Sequence, residues 1–349
     1  MFKLKTILVG AAACAVLILG TPLAGQSRAA AADKRVATFK DWVVACDNLH
    51  NCEANGFTAP EEEPMSRPDH MAILQLNRGG GPDDPVQAMI QLVEGVEGGF
   101  EGKGLVLAVD ERPLMNVLGG KDFSVTLAAA QVGPLLAAAR NGTSLTLSRG
   151  DQEVAVVSLA GMAAALRRMD DQQGRVGAVT AIVAKGAAPA SSVPPRPAIA
   201  VVRRAPAIAQ TGLSDKPPAS VKALVAKNDC DQDPAWDGGY VRAYRLSADQ
   251  VMWRVSCAGG VGAAEALLVV TDNKGGKPWT PFDGVISGGA YDPKTRLLGL
   301  YTRESGIGDC GEGGEWAWTG TAFVVIREMA MPLCRGQINW PITYQAKVE

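Results

Sequence analysis

The clearest alternation of apolar and polar positions lies near the start of the chain. Val36–Phe39 leads into Trp42-Val43-Val44-Ala45-Cys46. A strand repeats every second residue, so Trp42, Val44 and Cys46 share one face. Further short strands are expected at Met71–Leu76, Val86–Val93, Leu105–Asp110 and Ser144–Leu147, with Glu153–Val157 after a Gly150-Asp151 turn. Two short helices interrupt them. One is expected to open with Pro134 at its first position and to stop at Asn141-Gly142. The other is expected over Ser158–Asp170, with Ser158 as N-cap; Leu159, Met162, Leu166 and Met169 recur at helical spacing and read as core packing. The second half, about 221–345, reads as all-β. Its strands are expected at Tyr240–Leu246, Val251–Cys257, Ala266–Asp272, Ile286–Asp292, Leu297–Arg303, Trp316–Arg327 and Trp340–Tyr344, with Gly and Asp at the turns.

Between the halves the pattern stops. Residues 184–220 hold Pro189, Pro194, Pro195, Pro197, Pro206, Pro217 and Pro218 amid alanine. Proline removes a backbone donor and fixes φ, so this stretch reads as an extended linker. The expected fold is mainly β: two β-rich domains, each a sandwich or open barrel, the first with two short helices. The expected division is 1–32, 33–183, 184–220 and 221–349.

Residues 1–32 read as a cleaved signal peptide. Lys3 and Lys5 precede an apolar stretch from Thr6 to Gly20, and Ala30-Ala31-Ala32 offers a small-residue cleavage site. The apolar run is broken by Gly20, Thr21 and Pro22, too early for a spanning helix. The chain carries 34 basic and 36 acidic residues. Loss of Lys3, Lys5 and Arg28 makes the remainder more acidic, which gives no global pull on nucleic acid or anionic lipid. The expected location is the periplasm, with no transmembrane segment in the mature chain.

The leader carries Cys14; the other cysteines are Cys46, Cys52, Cys230, Cys257, Cys310 and Cys334. An even number in an exported chain reads as disulfides. Sequence does not fix the connectivity; proximity along the chain favours Cys46–Cys52, Cys230–Cys257 and Cys310–Cys334. Zinc spacing is lacking, and the histidines are only His50 and His70, both in loop-like sequence. No Gly-x-Ser-x-Gly elbow, Cys-x-x-Cys pair or phosphate loop occurs. No cofactor, resident metal or catalytic residue is expected. Asp229, Asp231 and Asp233 alternate as in the first half of a calcium loop, but Pro234 intrudes and no closing glutamate follows.

The segment from Asp309 to Trp318 carries the most chemistry. Trp316 and Trp318 share a strand face, Glu312 and Glu315 stand just before them, Arg303 lies upstream, and Arg335 follows Cys334. These six residues form a candidate binding surface. Tryptophan faces stack on sugar rings and paired carboxylates cleave glycosidic bonds; core packing of the tryptophans is the simpler reading.

The stretch Phe39-Lys40-Asp41-Trp42-Val43-Val44-Ala45-Cys46-Asp47, with Cys52-Glu53, resembles the N-terminal signature of invasion-associated locus B proteins. Ser158-Leu159-Ala160-Gly161, Met169-Asp170-Asp171-Gln172-Gln173-Gly174-Arg175, Gly308-Asp309-Cys310-Gly311, Trp316 with Trp318, Cys334-Arg335-Gly336 and Trp340-Pro341 resemble the family known as domain of unknown function 1176. The resemblance implies an exported Gram-negative envelope protein and supplies no reaction, substrate or catalytic residue. It also leads one to expect an aromatic shortly after Cys257, where Gly262-Ala263-Ala264-Glu265 stands. The expected function is therefore binding of an envelope protein or glycan, with a glycan-acting hydrolase and a calcium-stabilised binding module as alternatives.

Overall fold

A computed structural model describes residues 35–60, 71–92, 99, 101–228, 230, 241–257 and 265–349. The expected signal peptide of residues 1–32, His70 and Asp229, Asp231 and Asp233 lie outside the described residues. The protein is mainly β, with several sheets and a few short helices.

The first half contains β1 (Val36–Phe39), β2 (Trp42–Cys46), β3 (Cys52–Phe57), β4 (Ala72–Arg78), β5 (Val86–Leu92), β6 (Gly104–Val109), β7 (Arg112–Leu118), β8 (Ser124–Thr126), α1 (Ala129–Ala139), β9 (Ser144–Arg149), β10 (Gln152–Ser158) and α2 (Met162–Gln172). A six-stranded sheet runs β1-β2-β3-β4-β5-β8 and a four-stranded sheet runs β10-β9-β6-β7. One apolar core joins both sheets and both helices. Trp42, Leu74, Leu76 and Ile90 meet Leu105, Leu107, Leu145 and Leu147, with Leu135 of α1 and Met162, Leu166 and Met169 of α2.

Both helices differ from expectation at their starts. α1 begins before Pro134, which sits inside it. The Gln131 side chain accepts from the Ala128 N–H at 2.8 Å, so a polar residue one turn in does the capping that proline was expected to mark. α2 starts at Met162, because Ser158 is still in β10, where its carbonyl accepts from the Trp42 indole at 2.9 Å. Gly161 stands at the N-cap with φ 100°, and a Cβ there would lie 1.8 Å from the Phe39 carbonyl oxygen. Only glycine permits that approach.

Past α2 the chain is tied down by buried polar groups. Asp170, with no exposed surface, accepts from the backbone N–H groups of Ile182, Val183 and Ala184 at 2.8, 2.8 and 3.1 Å. Arg175, equally buried, donates to the carbonyls of Gly81 and Pro82 and to Thr180 Oγ1. The Pro/Ala-rich segment 184–220 runs along the protein, with a short 3-10 turn at Ala190–Ser192 and a helix beginning at Ala219. Arg196 pairs with Asp84 at 2.8 Å. The proline-free Ala200–Val202 forms β11, which pairs in parallel with β19 (Ile342–Val348).

The second half adds a helix that its all-β reading omits: α3 (Ala219–Lys227), starting directly after Pro218. Then follow β12 (Val241–Arg245), β13 (Gln250–Ser256), β14 (Glu265–Asp272), β15 (Ile286–Asp292), β16 (Leu297–Arg303), β17 (Gly311–Trp318), β18 (Phe323–Met331) and β19. They form an antiparallel meander in chain order, with β11 at its far edge, giving nine strands. The expected single strand Trp316–Arg327 is two strands of a hairpin, turned at Thr319, whose N–H bonds the Ala322 carbonyl. Cys46–Cys52, Cys230–Cys257 and Cys310–Cys334 are disulfides.

The halves meet on the outer face of the six-stranded sheet. Val43, Phe57 and Ile73 pack against Cys310, Met331 and Trp340 of the second half. β2 is consequently buried on both faces. Polar ties surround this patch. Asp47 holds the Cys46–Cys52 turn through the N–H groups of Leu49 and Asn51, and the Gln345 side chain of β19 donates to it. Asn48 exchanges two hydrogen bonds with the Gln345 backbone at 2.8 and 3.0 Å. In the same seam, burial pushes the Glu53 carboxyl above its ordinary pKa, against the pull of hydrogen bonds from Asn55, Gln75 and Gln337. The Oδ1 of Asn55 and the Oε1 of Gln337 are buried without a hydrogen-bond partner.

Two outcomes are expected. Asp170→Ala frees three backbone N–H groups and leaves the buried Arg78 beside it without its counter-charge (3.9 Å away). It should cost about 3–5 kcal/mol in urea unfolding and expose the 176–186 stretch to protease. Glu53→Gln should melt higher than the parent protein at neutral pH. An acid whose pKa rises on folding supports the fold below its unfolded pKa and withdraws that support as pH climbs through the folded one. The gap in Tm should therefore shrink on acidification; a gap independent of pH would contradict it.

Candidate functional site

Strand parity places Glu312, Gly314, Trp316 and Trp318 on one face of β17 and Gly313, Glu315 and Ala317 on the other. On the first face the two tryptophans part ways. Trp318 is 1 % exposed and packs with Leu298 and Tyr291, its ring 5.1 Å from Phe323. Its place is in the core. Burial also pushes the neighbouring Tyr291 hydroxyl up to about 12, so it stays a neutral phenol. Trp316 is half-buried, edge-on to Phe282 at 5.7 Å. Its indole lies over Gly314, where a Cβ would fall 2.8 Å from the ring. The glycine lets the indole lie flat along the sheet.

Trp316 and Glu312 line a groove of about 820 Å³, formed where β1 meets strands β15–β19. Its walls include Tyr301, Glu304 and Glu328. Glu328 forms an ion pair with Arg35, just before β1, at 3.8 Å. Arg35 also donates to the Thr343 carbonyl and lies 5.7 Å from the centre of the Tyr344 ring. Glu304 and Glu312 are exposed and make no ion pair among the described residues. Next to Ser287 of the groove wall, Arg254 donates to the carbonyls of Gly288 and Gly289 at 3.0 and 2.8 Å, holding the bulged start of β15. Burial lowers the pKa of that guanidinium.

The remaining sequence-selected residues lie elsewhere. Glu315 is on the opposite face from Glu312, so these two carboxylates do not converge on one bond. Arg303 sits 5.2 Å over Tyr301, which stacks on Trp340 at 4.4 Å. Arg335 turns to the first half, with Asp41 at 4.0 Å and the Thr58 carbonyl at 3.4 Å. It ties the two halves together. Sequence reasoning passed over Arg35, Glu328 and Tyr301. Glu304 directly follows Arg303 at the end of β16; Arg35 is brought in by tertiary contact alone.

One group of possible metal ligands occurs among the described residues: Asp309, Cys310 and Cys334. The two sulfurs are bonded to each other, and Asp309 accepts from Ser305 Oγ and from the Gly336 N–H at 2.7 Å. The carboxylate thus fastens the loop before β17 to the loop after β18. Among the described residues no helix is long and apolar enough to cross a membrane.

No solved structure matches this chain. An uncharacterized protein of Escherichia coli (strain K12), YpfG, is 29% identical over 347 residues, covering 87% of this chain and 90% of that protein. The model of the family described as "Protein of unknown function (DUF1176)" matches residues 36–347, from the first residue of β1 to within the last strand, so the chain belongs to the DUF1176 family.

Proposed function

We propose that this is an exported envelope protein whose groove between β1 and β15–β19 binds a polyhydroxylated wall polymer. The observation that carries the reading is the meeting, in one 820 Å³ groove, of the half-buried Trp316 ring with Glu304 and Glu312, two exposed carboxylates that form no ion pair among the described residues. Aromatic faces cover the apolar face of a sugar ring, and carboxylate oxygens accept from its hydroxyls. The volume falls in the usual range for a ligand site. Three disulfides support an oxidising compartment, here the periplasm, reached through the leader in residues 1–32. In this reading residues 33–183 form a unit similar to invasion-associated locus B proteins and 221–349 a second unit, joined by 184–220.

Soluble wall-glycan fragments titrated into the full chain should quench Trp316 fluorescence. The double variant Glu304→Gln, Glu312→Gln should weaken binding about tenfold, near 1.4 kcal/mol. Glu315→Gln, on the other face, should leave it unchanged. Equal affinity in all three proteins removes the groove from the function. Fragments shortened by the parent protein but not by Glu312→Gln would replace binding by hydrolysis.

A further inference from the structure

A second cavity, of about 310 Å³, opens in the first half between α1, α2 and the stretch Thr180–Lys185, remote in the fold from the Trp316 groove. Its walls are apolar: Leu136 of α1, Leu166 of α2, and Ile182 and Val183. Its floor is charged. Arg78 is 7 % exposed and donates through Nε to the Asp84 carbonyl at 3.0 Å and through Nη2 to the Thr180 carbonyl at 2.7 Å. Its Nη1 makes no hydrogen bond. The nearest carboxylate oxygen, on Asp170, is 3.9 Å away and already serves the 182–184 backbone. The buried guanidinium of Arg175 stands close enough to act on Arg78. Burial first, and that second positive charge next, hold Arg78 down at about 10, against the opposing pull of Asp170 and Asp84.

Two buried guanidiniums, Arg78 and Arg175, therefore stand near one buried carboxylate, Asp170. Of the surface carboxylates nearby, Asp84 is engaged by Arg196 and by the Gly81 N–H. At the cavity mouth, Arg140 and Lys185 are exposed, and neither forms an ion pair among the described residues. A low-dielectric wall with surplus positive charge beneath and beside it concentrates a field that favours anions.

We infer that this cleft binds a small amphiphilic anion, its apolar body against Leu136, Leu166 and Val183 and its acidic head between Arg140 and Lys185. The inference is independent of the groove and its ligand.

Octanoate is a suitable probe, with octanol and inorganic phosphate as controls that each keep half of its chemistry. In the full chain, octanoate should raise Tm in a saturable way while neither control does. The double variant Arg140→Glu, Lys185→Glu changes only exposed residues; it should melt like the parent alone and lose the octanoate shift. Ala137→Trp, which fills the cleft from the exposed side of α1, should lose it too. The inference falls if octanoate gives no saturable shift, if octanol or phosphate reproduces it, or if both variants retain it.

Discussion

Everything in this architecture turns on one apolar seam. Val43, Phe57 and Ile73 present the outer face of the six-stranded sheet to Cys310, Met331 and Trp340. A half-buried antiparallel sheet ordinarily shows water one face. Here that face is covered, so β2 has no exposed residue at all. The contact brings β1 alongside β15–β19 and thereby creates the groove. Its polar margin then fixes the geometry. Asp47 and Asn48 grip Gln345, Arg335 reaches Asp41, and Arg35 reaches Glu328. Each is modest by itself; together they allow the seam one register.

The same seam explains what could be read from sequence and what could not. Alternation in Trp42–Cys46 located the inward face correctly, since Trp42, Val44 and Cys46 all enter the first core. Nothing local says that Val43 is buried as well, because its partners lie far along the chain. The mainly β character and the cysteine partners were legible from strand period and proximity. Helix starts were not. Pro134 prefers a first turn, but the Gln131 side chain caps one turn earlier, and nothing in apolar spacing reports that. The strands around Thr319 merged in the reading because apolar residues continue on both sides of a short polar turn. Helix α3 follows directly on Pro217-Pro218, whose prolines continue the extended composition of the preceding segment up to its first turn.

The candidate site was half legible. Strand parity put Trp316 and Trp318 on one face; the longer β17 adds Glu312 to that face and sets Glu315 on the other. Parity does not say how deep a residue lies. Trp318 shares the face of Trp316 yet is sealed beneath Phe323 and Trp279. Arg35 and Glu328 meet only once the seam has formed.

The pairing of β11 with β19 has a consequence for biogenesis. Ala200–Val202 emerges early, yet its hydrogen-bonding partner is the final strand, and the Arg204 N–H bonds the last residue, Glu349. Gln345, which clasps the Cys46–Cys52 turn, is also in that strand. Both clasps therefore wait for β19, which lies about 140 residues beyond β11 along the chain. Such long sequence separations slow folding. Until those late strands pair, the outer face of the first sheet stays bare, so closure of the seam is the step on which the assembly of both halves waits.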